Sequence, residues 1–420
     1  MLCEFERSTS VAGALGIIEQ VYDREGLTAE LITGMGESPF PVHRCTVRNS
    51  AGEEVTHSSG KGELGQARAS ALFEAWQHLQ HQKGQRSLPG DQRLRLMRIG
   101  EVLDQPELHG EVMLRRLAGD YPDAKLGCLP YQAVDAGPAP IWYPAFARNP
   151  AYRWHPATGD DLEYEPYLRY SYDSGTASGI STGEALLHGL LEVIERDSLS
   201  AAFLDWYLRH PPRARAIDQG SLPRELRVLL GAVSEFIGAP VLLADISTDI
   251  GVPAYAALPG TERFPGSIGS GASLSPAYAA ERSLTELAQA VHFARLAIDT
   301  THESRLENLR SWPFLRRCAT LDKEPFRTAV LTPGDFTGRR PSAATDTSID
   351  GQIGTLSGML AERGFRPYFF SWTPAGSDCP VVTVLVPGLD WFAMVHSATA
   401  VLPTGRAMTT LRELRPQLAG

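Results

Sequence analysis

The 420-residue sequence has few cysteines, no basic excess and no long apolar run. Its five cysteines are scattered and form no Cys-x-x-Cys pair, which argues against a zinc or redox motif and favours a reducing, cytoplasmic setting. The formal net charge of -10 argues against a general nucleic-acid-binding role. No apolar stretch reaches the roughly 18 residues of a membrane span, and no signal peptide is evident at the N-terminus.

The most informative feature that is present is a small-residue loop, residues 174–181, followed by a helical segment with polar side chains on one stripe. Glu184, His188, Glu192 and Glu195 follow one another at spacings of four, four and three residues, which places them on one face of a helix. Aliphatic residues cover most of the other faces, so we expect this helix to be buried. Buried carboxylates need cations or hydrogen-bond partners, and hard oxygen ligands beside a Gly/Ser loop suit Mg²⁺ and a phosphate.

Two further segments repeat the pattern of a Gly/Ser loop, a helix and a glutamate. Residues 58–62 form a predicted loop before a helix over about 66–82 that carries Glu74. Residues 265–271 form another, before a helix over about 276–299 that carries Glu286. One such element is common in proteins, but three elements with matched acidic positions indicate a shared site.

The remaining sequence predicts a mixture of helices and short strands. Helical spacing of apolar residues predicts helices over 11–22, 184–207, 224–236 and 349–363. Short apolar or alternating runs predict strands over 29–33, 42–48, 54–57, 240–245, 252–258, 367–372 and 381–386, with a hairpin turn at 49–52. We expect residues 83–91 to be a polar connector and residues 300–345 to be irregular.

The central acidic helix resembles a motif of the YcaO family. The family pattern Glu-x3-Gln-x3-Glu-x2-Glu-Arg is matched by Glu184, Glu192, Glu195 and Arg196, and His188 stands where the family has glutamine. The other two helices match further family motifs. Arg-x3-Glu corresponds to Arg282 and Glu286, and Ser-x3-Glu-x2-Glu-Arg is met in part by Ser70 and Glu74. Gln77 and His78 replace the last Glu-Arg pair. The resemblance covers roughly residues 40–400.

The resemblance implies an α+β fold with mixed or antiparallel sheets and glutamate-bearing helices around an ATP/Mg²⁺ site. It further implies one YcaO-like unit over residues 1–420, with an N-terminal lobe over 1–93 that holds the first glutamate helix. Residues 94–420 are then the rest of the YcaO core.

The resemblance also implies a set of binding residues. Mg²⁺, or water on Mg²⁺, is expected on Glu74, Glu192, Glu195 and Glu286. Nucleotide contacts are expected from the same acids and from Lys61, Ser70, Glu184, His188, Arg196 and Arg282, with Arg7 as a further candidate for a phosphate. Alternatives remain open: the acids pair with Arg196 and Arg282 in buried salt bridges, and Ser70 or Glu184 caps its helix. Lys61 lies in no Walker A frame, and no substrate-side catalytic group is assigned.

The function that the resemblance implies is ATP- and Mg²⁺-dependent O-phosphorylation of a peptide backbone amide. Azoline-forming cyclodehydration during maturation of a ribosomally synthesised peptide is the first expectation. Thioamide or macroamidine formation by the same activation is an alternative, and so is an accessory, non-catalytic nucleotide-binding role. Two departures bear on this choice: Gln77 and His78 remove one carboxylate and one guanidinium, and residues 415–420 do not form the Pro-x-Pro-x-Pro tail of many azoline-forming members.

The expected partners follow from the same resemblance. We expect a peptide substrate and a separate leader-binding or TfuA-like protein, because no winged-helix leader-binding segment precedes the family-like region. Nucleic acid and membrane are not expected partners, and a homodimer is compatible with the resemblance.

Overall fold

The fold is described from a computed structural model. It describes residues 6–33, 41–62, 64–86, 94–135, 137, 139–209, 211–295, 305–323, 326, 330–331, 334–336 and 347–407, with residues 64, 84–86 and 330–331 in backbone only. The predicted connector beyond residue 86, the irregular stretch over 337–345 and the C-terminal residues 415–420 lie outside these ranges.

Helices and short strands alternate along the described chain. The helices are α1 Val11–Arg24, α2 Leu64–Arg86, α3 Ile99–Leu103, α4 Val112–Asp120, α5 Ala145–Arg148, α6 Thr182–Tyr207, α7 Arg224–Ile237, α8 Pro276–Arg295, α9 Pro313–Thr320 and α10 Ile349–Ala361. The strands are β1 Thr28–Thr33, β2 His43–Arg48, β3 Glu54–Gly60, β4 Arg95–Arg98, β5 Lys125–Ala133, β6 Ile141–Pro144, β7 Thr176–Ser178, β8 Arg213–Ala214, β9 Val241–Asp245, β10 Ala254–Pro259, β11 Gly269–Ala272, β12 Val330–Leu331, β13 Tyr368–Ser371 and β14 Val381–Leu385.

The first module runs from α1 to α2. Ser10 caps α1 by accepting a hydrogen bond from the N–H of Gly13, and α1 packs its apolar face inward. Strands β1, β2 and β3 form an antiparallel sheet in that order. The predicted helix over 11–22, the three predicted strands and the hairpin turn are confirmed. The predicted loop over 58–62 is wrong in part, because β3 continues through Gly60.

Gly60 has a loop-like sequence signal yet lies in β3, because helix α2 packs against it. A Cβ atom there would lie 2.0 Å from the carbonyl oxygen of Ala67 and 2.3 Å from the amide nitrogen of Ala71. Helix α2 therefore packs directly on the backbone of β3, and only glycine leaves room for it. This contact fixes where the Glu74 helix lies.

A second module, from α7 to α8, repeats the element order of the first. Strands β9, β10 and β11 form an antiparallel sheet between the two helices. A Cβ atom on Gly271 would lie 2.3 Å from the carbonyl oxygen of Ala279, so α8 approaches β11 as α2 approaches β3. The predicted loop over 265–271 is accordingly wrong at its end, where residues from Gly269 onward are strand.

Helix α6 lies against a third, larger sheet. Its strands pair antiparallel in the order β4-β5-β13-β14-β7, with β6 beside β5. A Cβ atom on Gly189 would lie 2.8 Å from the carbonyl oxygen of Gly175, so the helix packs closely on the backbone just before β7. The predicted small-residue loop over 174–181 is wrong in part, because β7 forms within it, over Thr176–Ser178. Most of α6 is buried, as the apolar faces predict.

The observed architecture confirms the predicted fold class, a mixture of helices and mainly antiparallel sheets. Among the strands that the structure describes, β8 and β12 form the one parallel pair. The predicted irregular stretch over 300–345 is wrong where α9 forms, over Pro313–Thr320. Within the described ranges, no helix is long and apolar enough to cross a bilayer.

Candidate nucleotide and metal site

One cavity of about 440 Å³ lies where α2, α6 and α8 come together. That volume is within the usual range for small-molecule sites. All of the predicted binding residues line it: Lys61, Ser70, Glu74, Glu184, His188, Glu192, Glu195, Arg196, Arg282 and Glu286. The structure thus brings together side chains from three helices and a loop that are far apart in sequence.

Glu184, at the start of α6, is held by the N-terminal arm, which we define as residues 6–10. Its Oε1 atom accepts the backbone N–H and the hydroxyl of Ser8, and its Oε2 atom accepts the N–H of Ile180. Glu184 is buried, and its own backbone N–H donates to the hydroxyl of Ser181, the N-cap of α6.

Glu192 faces the cavity with one oxygen already engaged. Its Oε1 atom accepts the hydroxyl of Ser174 at 2.7 Å, and Arg196 lies 3.7 Å from the same atom. Burial raises the pKa of Glu192 despite the opposing effect of Arg196. A carboxylate whose charge is costly in this way is a favourable place for a further cation.

Glu195 is in a different situation, because its partners enclose it. Ser270 donates to Oε1 at 2.6 Å, Arg196 lies 3.5 Å from the same atom, and Arg282 lies 3.4 Å from Oε2. Only 2% of the side chain is exposed. The buried salt bridges that the sequence left open as an alternative are present at this residue. Its role as a metal ligand stays a prediction.

Glu74 from the first module and Glu286 from the second module both line the cavity. Lys61 Nζ lies 3.0 Å from Glu286 Oε2. Burial raises the pKa of Glu74, and the charges of Glu192 and Glu286 raise it further. Burial also acts to raise the pKa of Glu286, but Lys61 and Arg196 outweigh it and hold that pKa below its usual value. The three carboxylates therefore interact electrostatically.

His188 lies in the cavity as a neutral imidazole. Burial lowers its pKa far below the usual value, and the positive charges of Arg7, Arg282 and Lys61 lower it further. Ser70 and Gln77 also line the cavity, so the amide of Gln77 stands where the family pattern has a carboxylate. His78 instead contacts the backbone carbonyl of His57 through Nδ1, at 3.1 Å.

Sequence reasoning missed several contacts that build the site. Glu6 is buried against Ser273, whose hydroxyl donates to its carboxylate, and Ser8 and Ser270 bind Glu184 and Glu195 as described above. None of these residues belongs to a local pattern with its partner. The one sequence signal was the charge of Arg7, which does line the cavity.

The chemistry of the lining fits a nucleotide with a divalent metal. Six carboxylates and four cations line the cavity, so acids exceed cations by two. The acids are Glu6, Glu74, Glu184, Glu192, Glu195 and Glu286, and the cations are Arg7, Lys61, Arg196 and Arg282. Carboxylate oxygens are preferred ligands of Mg²⁺, and the guanidinium and ammonium groups suit phosphate oxygens. Among the described residues, however, no three acidic, histidine or cysteine side chains stand close enough together to hold a metal ion as they are.

Two curated relatives match about half of the chain. An uncharacterized protein of Methanothermobacter thermautotrophicus is 29% identical over 239 residues, which are 53% of this chain and 57% of the relative. An uncharacterized protein in the tfuA 3′ region of Rhizobium leguminosarum bv. trifolii is 29% identical over 246 residues, 54% of each chain. The chain thus spans little more than half the length of these relatives.

A solved structure shares the fold over nearly the whole chain. YcaO from Methanopyrus kandleri, bound with AMPPCP and Mg²⁺, aligns with a TM-score of 0.63 and 24% identity. The alignment covers 94% of this chain and 96% of that one.

A family model decides the assignment. The model described as YcaO cyclodehydratase, ATP- and Mg²⁺-binding, matches residues 59–390, which is most of the chain. The description names both predicted cofactors, ATP and Mg²⁺, which are therefore confirmed for the family. On this match, the chain belongs to the YcaO family.

Proposed function

We propose that this protein uses Mg·ATP to activate a peptide backbone amide by phosphorylating its oxygen. The observation that carries the proposal is the shared cavity, in which carboxylates of α2, α6 and α8 face Lys61, Arg196 and Arg282. Transfer of a phosphoryl group depends mainly on positioning and on neutralising the charge of the phosphates. A site with both acids and fixed cations meets these two needs.

The residues divide into two groups by charge. Glu74, Glu192 and Glu286 have oxygens that line the cavity and would hold Mg²⁺, and Glu195 sits behind them between Arg196 and Arg282. The two guanidiniums, fixed by this shared acid, would orient phosphate oxygens with their forked donors. Bound Mg·ATP supplies the electrophilic γ-phosphorus.

The chemistry overcomes a poor leaving group. Resonance makes the peptide bond planar and its carbonyl unreactive. A nucleophile forms a bond to the carbonyl carbon, and the displaced electron pair moves to the oxygen. This oxygen bonds to the γ-phosphorus while the bond from phosphorus to ADP breaks. The C–O bond then breaks, and the amide oxygen departs within the phosphate.

Azoline formation is the first candidate outcome. A cysteine, serine or threonine side chain of the substrate would be the nucleophile, and loss of the amide proton would complete a C=N bond. The family description as a cyclodehydratase supports this outcome. The substrate would lose one molecule of water for each ring, with its oxygen carried away in phosphate.

Thioamide formation is a second candidate, favoured by a specific observation. One relative is a protein in the tfuA 3′ region, and a TfuA-like partner points to thioamide-forming members of the family. An external sulfide would then add to the carbonyl carbon, and loss of its proton would leave a C=S bond. The substrate would exchange one oxygen atom for one sulfur atom.

The test is ATP turnover with and without peptide, followed by mass spectrometry of the peptide. Candidate peptides are the short precursors encoded beside the gene, assayed with the neighbouring proteins and with or without sulfide. Phosphate release with loss of water supports azoline formation, and replacement of oxygen by sulfur supports thioamidation. Phosphate release without any modification indicates an accessory role. Absence of nucleotide binding would refute the proposal.

A matched pair of variants ties turnover to the cavity. Glu192→Ala removes a carboxylate that faces the cavity, and we expect it to abolish ATP turnover in a protein that remains folded. Asp205→Ala, on the same helix, removes a carboxylate that pairs only with Arg209 in the contacts described, at 2.6 Å. It should keep wild-type turnover. Normal turnover by the Glu192 variant would remove Glu192 from the metal site.

A further inference from the structure

We propose that Lys61 occupies the place of a divalent cation in the nucleotide-free protein and leaves it for a phosphate when Mg·ATP binds. This inference rests on the proposed function and assigns Lys61 a specific task within it. Lys61 would make tight metal binding depend on the nucleotide.

The first argument is the position of the Lys61 ammonium. Its Nζ atom is 3.0 Å from Glu286 Oε2, and it is also near enough to Glu74 to act on that carboxylate. The ion pair joins the two modules, since Lys61 precedes α2 and Glu286 lies on α8. About a quarter of each side chain remains exposed, 27% for Lys61 and 26% for Glu286, so the pair lies at the cavity wall and not in the core.

The second argument is that Arg196 and Arg282, the cavity cations carried by α6 and α8, are held in ion pairs. Arg196 lies within 4 Å of both Glu192 and Glu195, and Arg282 pairs with the other carboxylate oxygen of Glu195. These guanidiniums have little freedom to leave, because a buried acid would lose its partners. Lys61 is a compact charge on a flexible stem, placed between Gly60 and Gly62, and it can exchange one oxygen partner for another.

The third argument is the lack of a ready metal site among the described residues. The charge of Glu74 interacts with those of Glu192 and Glu286. The cation nearest to Glu286 is Lys61, which also lowers the pKa of that carboxylate. A divalent ion that approaches Glu286 alone must displace this ammonium without giving it a new partner. A metal that arrives with a triphosphate brings the oxygens that can accept it. Free Mg²⁺ is therefore disfavoured relative to Mg·ATP.

The experiment measures two affinities in the wild-type protein and in four variants. Mg²⁺ alone is titrated into nucleotide-free protein by calorimetry, and Mg·ATP binding is measured separately. Lys61→Met removes the charge and keeps most of the length of the side chain, Lys61→Gln is a second uncharged variant, and Lys61→Arg keeps the charge. Lys83→Met is the matched control. Lys83 lies near the C-terminal end of α2 and forms an exposed ion pair with Glu25, which follows α1. Circular dichroism and thermal unfolding verify that each variant is folded.

The expected result is a pair of opposite changes. Loss of the Lys61 charge should tighten binding of Mg²⁺ alone by about tenfold and weaken binding of Mg·ATP by about as much. Lys61→Arg and Lys83→Met should stay within a few-fold of wild type in the Mg²⁺ titration. A purely structural role of Lys61 would weaken both affinities together.

Failure of this inference can be told from failure of the proposed function. If wild-type protein binds Mg·ATP but the uncharged variants bind Mg²⁺ alone no more tightly than wild type, Lys61 is not a stand-in for the metal. If wild-type protein binds no Mg·ATP at all, the proposed function is itself refuted, and this inference with it.

Discussion

Ser8 donates two hydrogen bonds to one oxygen of Glu184, from its backbone N–H at 2.6 Å and from its hydroxyl at 2.5 Å. Two residues earlier, Glu6 accepts the hydroxyl of Ser273, which follows β11. The N-terminal arm is thus fastened to the start of α6 at one point and to the second module at another. Between these two points, Arg7 lines the cavity, so the arm forms part of its wall.

Ser8→Ala should therefore weaken nucleotide binding clearly while lowering the stability of the folded protein only slightly. The variant loses the hydroxyl contact but keeps the backbone one, so the free energy of unfolding should fall by only about 1 kcal/mol. Affinity for Mg·ATP should fall several-fold, because Arg7 is no longer held firmly. Ser10→Ala is the control: loss of the α1 cap also costs about 1 kcal/mol, but affinity should be retained. Equal affinities for both variants would contradict the role given to Ser8 in holding Arg7.

Glu192 and Glu195 should differ sharply when each is changed to glutamine. In Glu195→Gln, the buried guanidiniums of Arg196 and Arg282 lose their shared counter-charge, and the free energy of unfolding should fall by about 3–5 kcal/mol. In Glu192→Gln, the lost charge is one that burial already disfavours, so stability should change little. Denaturant unfolding of both variants is the measurement. Similar losses of stability in both variants would contradict the structural role given to Glu195 and the cavity-facing role given to Glu192.

The helical part of the site could be predicted because its signal is local. The Glu184–Arg196 stripe lies on one helix, and the regular apolar residues around it fix both the helix and its burial. The same holds for α1 and α7, where apolar spacing alone indicates the helix.

Contacts across the chain could not be predicted in this way. Glu6 and Ser273 are 267 residues apart, and Ser8 and Glu184 are 176 residues apart, so no spacing rule links them. Strand β11 was missed for another reason. Its sequence, Gly-Ser-Gly-Ala, has no β-branched or aromatic residue, and its strand conformation depends on the helix packed against it.

The close contacts at Gly60 and Gly271 predict a strong penalty for even one added methyl group. In Gly60→Ala, the new Cβ atom would lie about 2 Å from the backbone of α2, so the strand or helix must shift. We expect a loss of about 3 kcal/mol or more in the free energy of unfolding, and a similar loss for Gly271→Ala. Gly16→Ala is the matched control in α1, where nothing lies within 4 Å. It should raise stability by about 0.5–1 kcal/mol; equal effects at all three positions would contradict the packing described.

His81 predicts a specific dependence of stability on pH. Burial lowers the pKa of this imidazole to about 4, so the folded protein resists protonation that the unfolded chain accepts near the usual value of 6.5. Between pH 6.5 and 4, the unfolded state binds more protons, and stability falls as the pH falls. The loss attributable to His81 should reach about 2–3 kcal/mol at the acidic end.

The check is to compare wild type with His81→Phe, which keeps an aromatic ring against Trp372. Denaturant unfolding at several pH values should show that the variant loses less stability on acidification than wild type, by about 2–3 kcal/mol. Parallel curves for the two proteins would mean that His81 does not remain neutral in the folded state.

Gln77→Glu would restore the carboxylate that the family motif has at this position. The new acid would lie one turn from Glu74 on α2 and inside the cavity. Without metal, like charges at this spacing repel, and burial adds to the cost, so the melting temperature should fall. With Mg²⁺, the added ligand should make the protein gain more stability from the metal than wild type does, because an ion that binds only the folded state stabilises it. Gln80→Glu, on the same helix but outside the cavity lining, should show neither effect. An Mg²⁺-dependent shift equal to that of wild type would mean that position 77 does not reach the metal, and that the departure from the motif leaves the metal site unchanged.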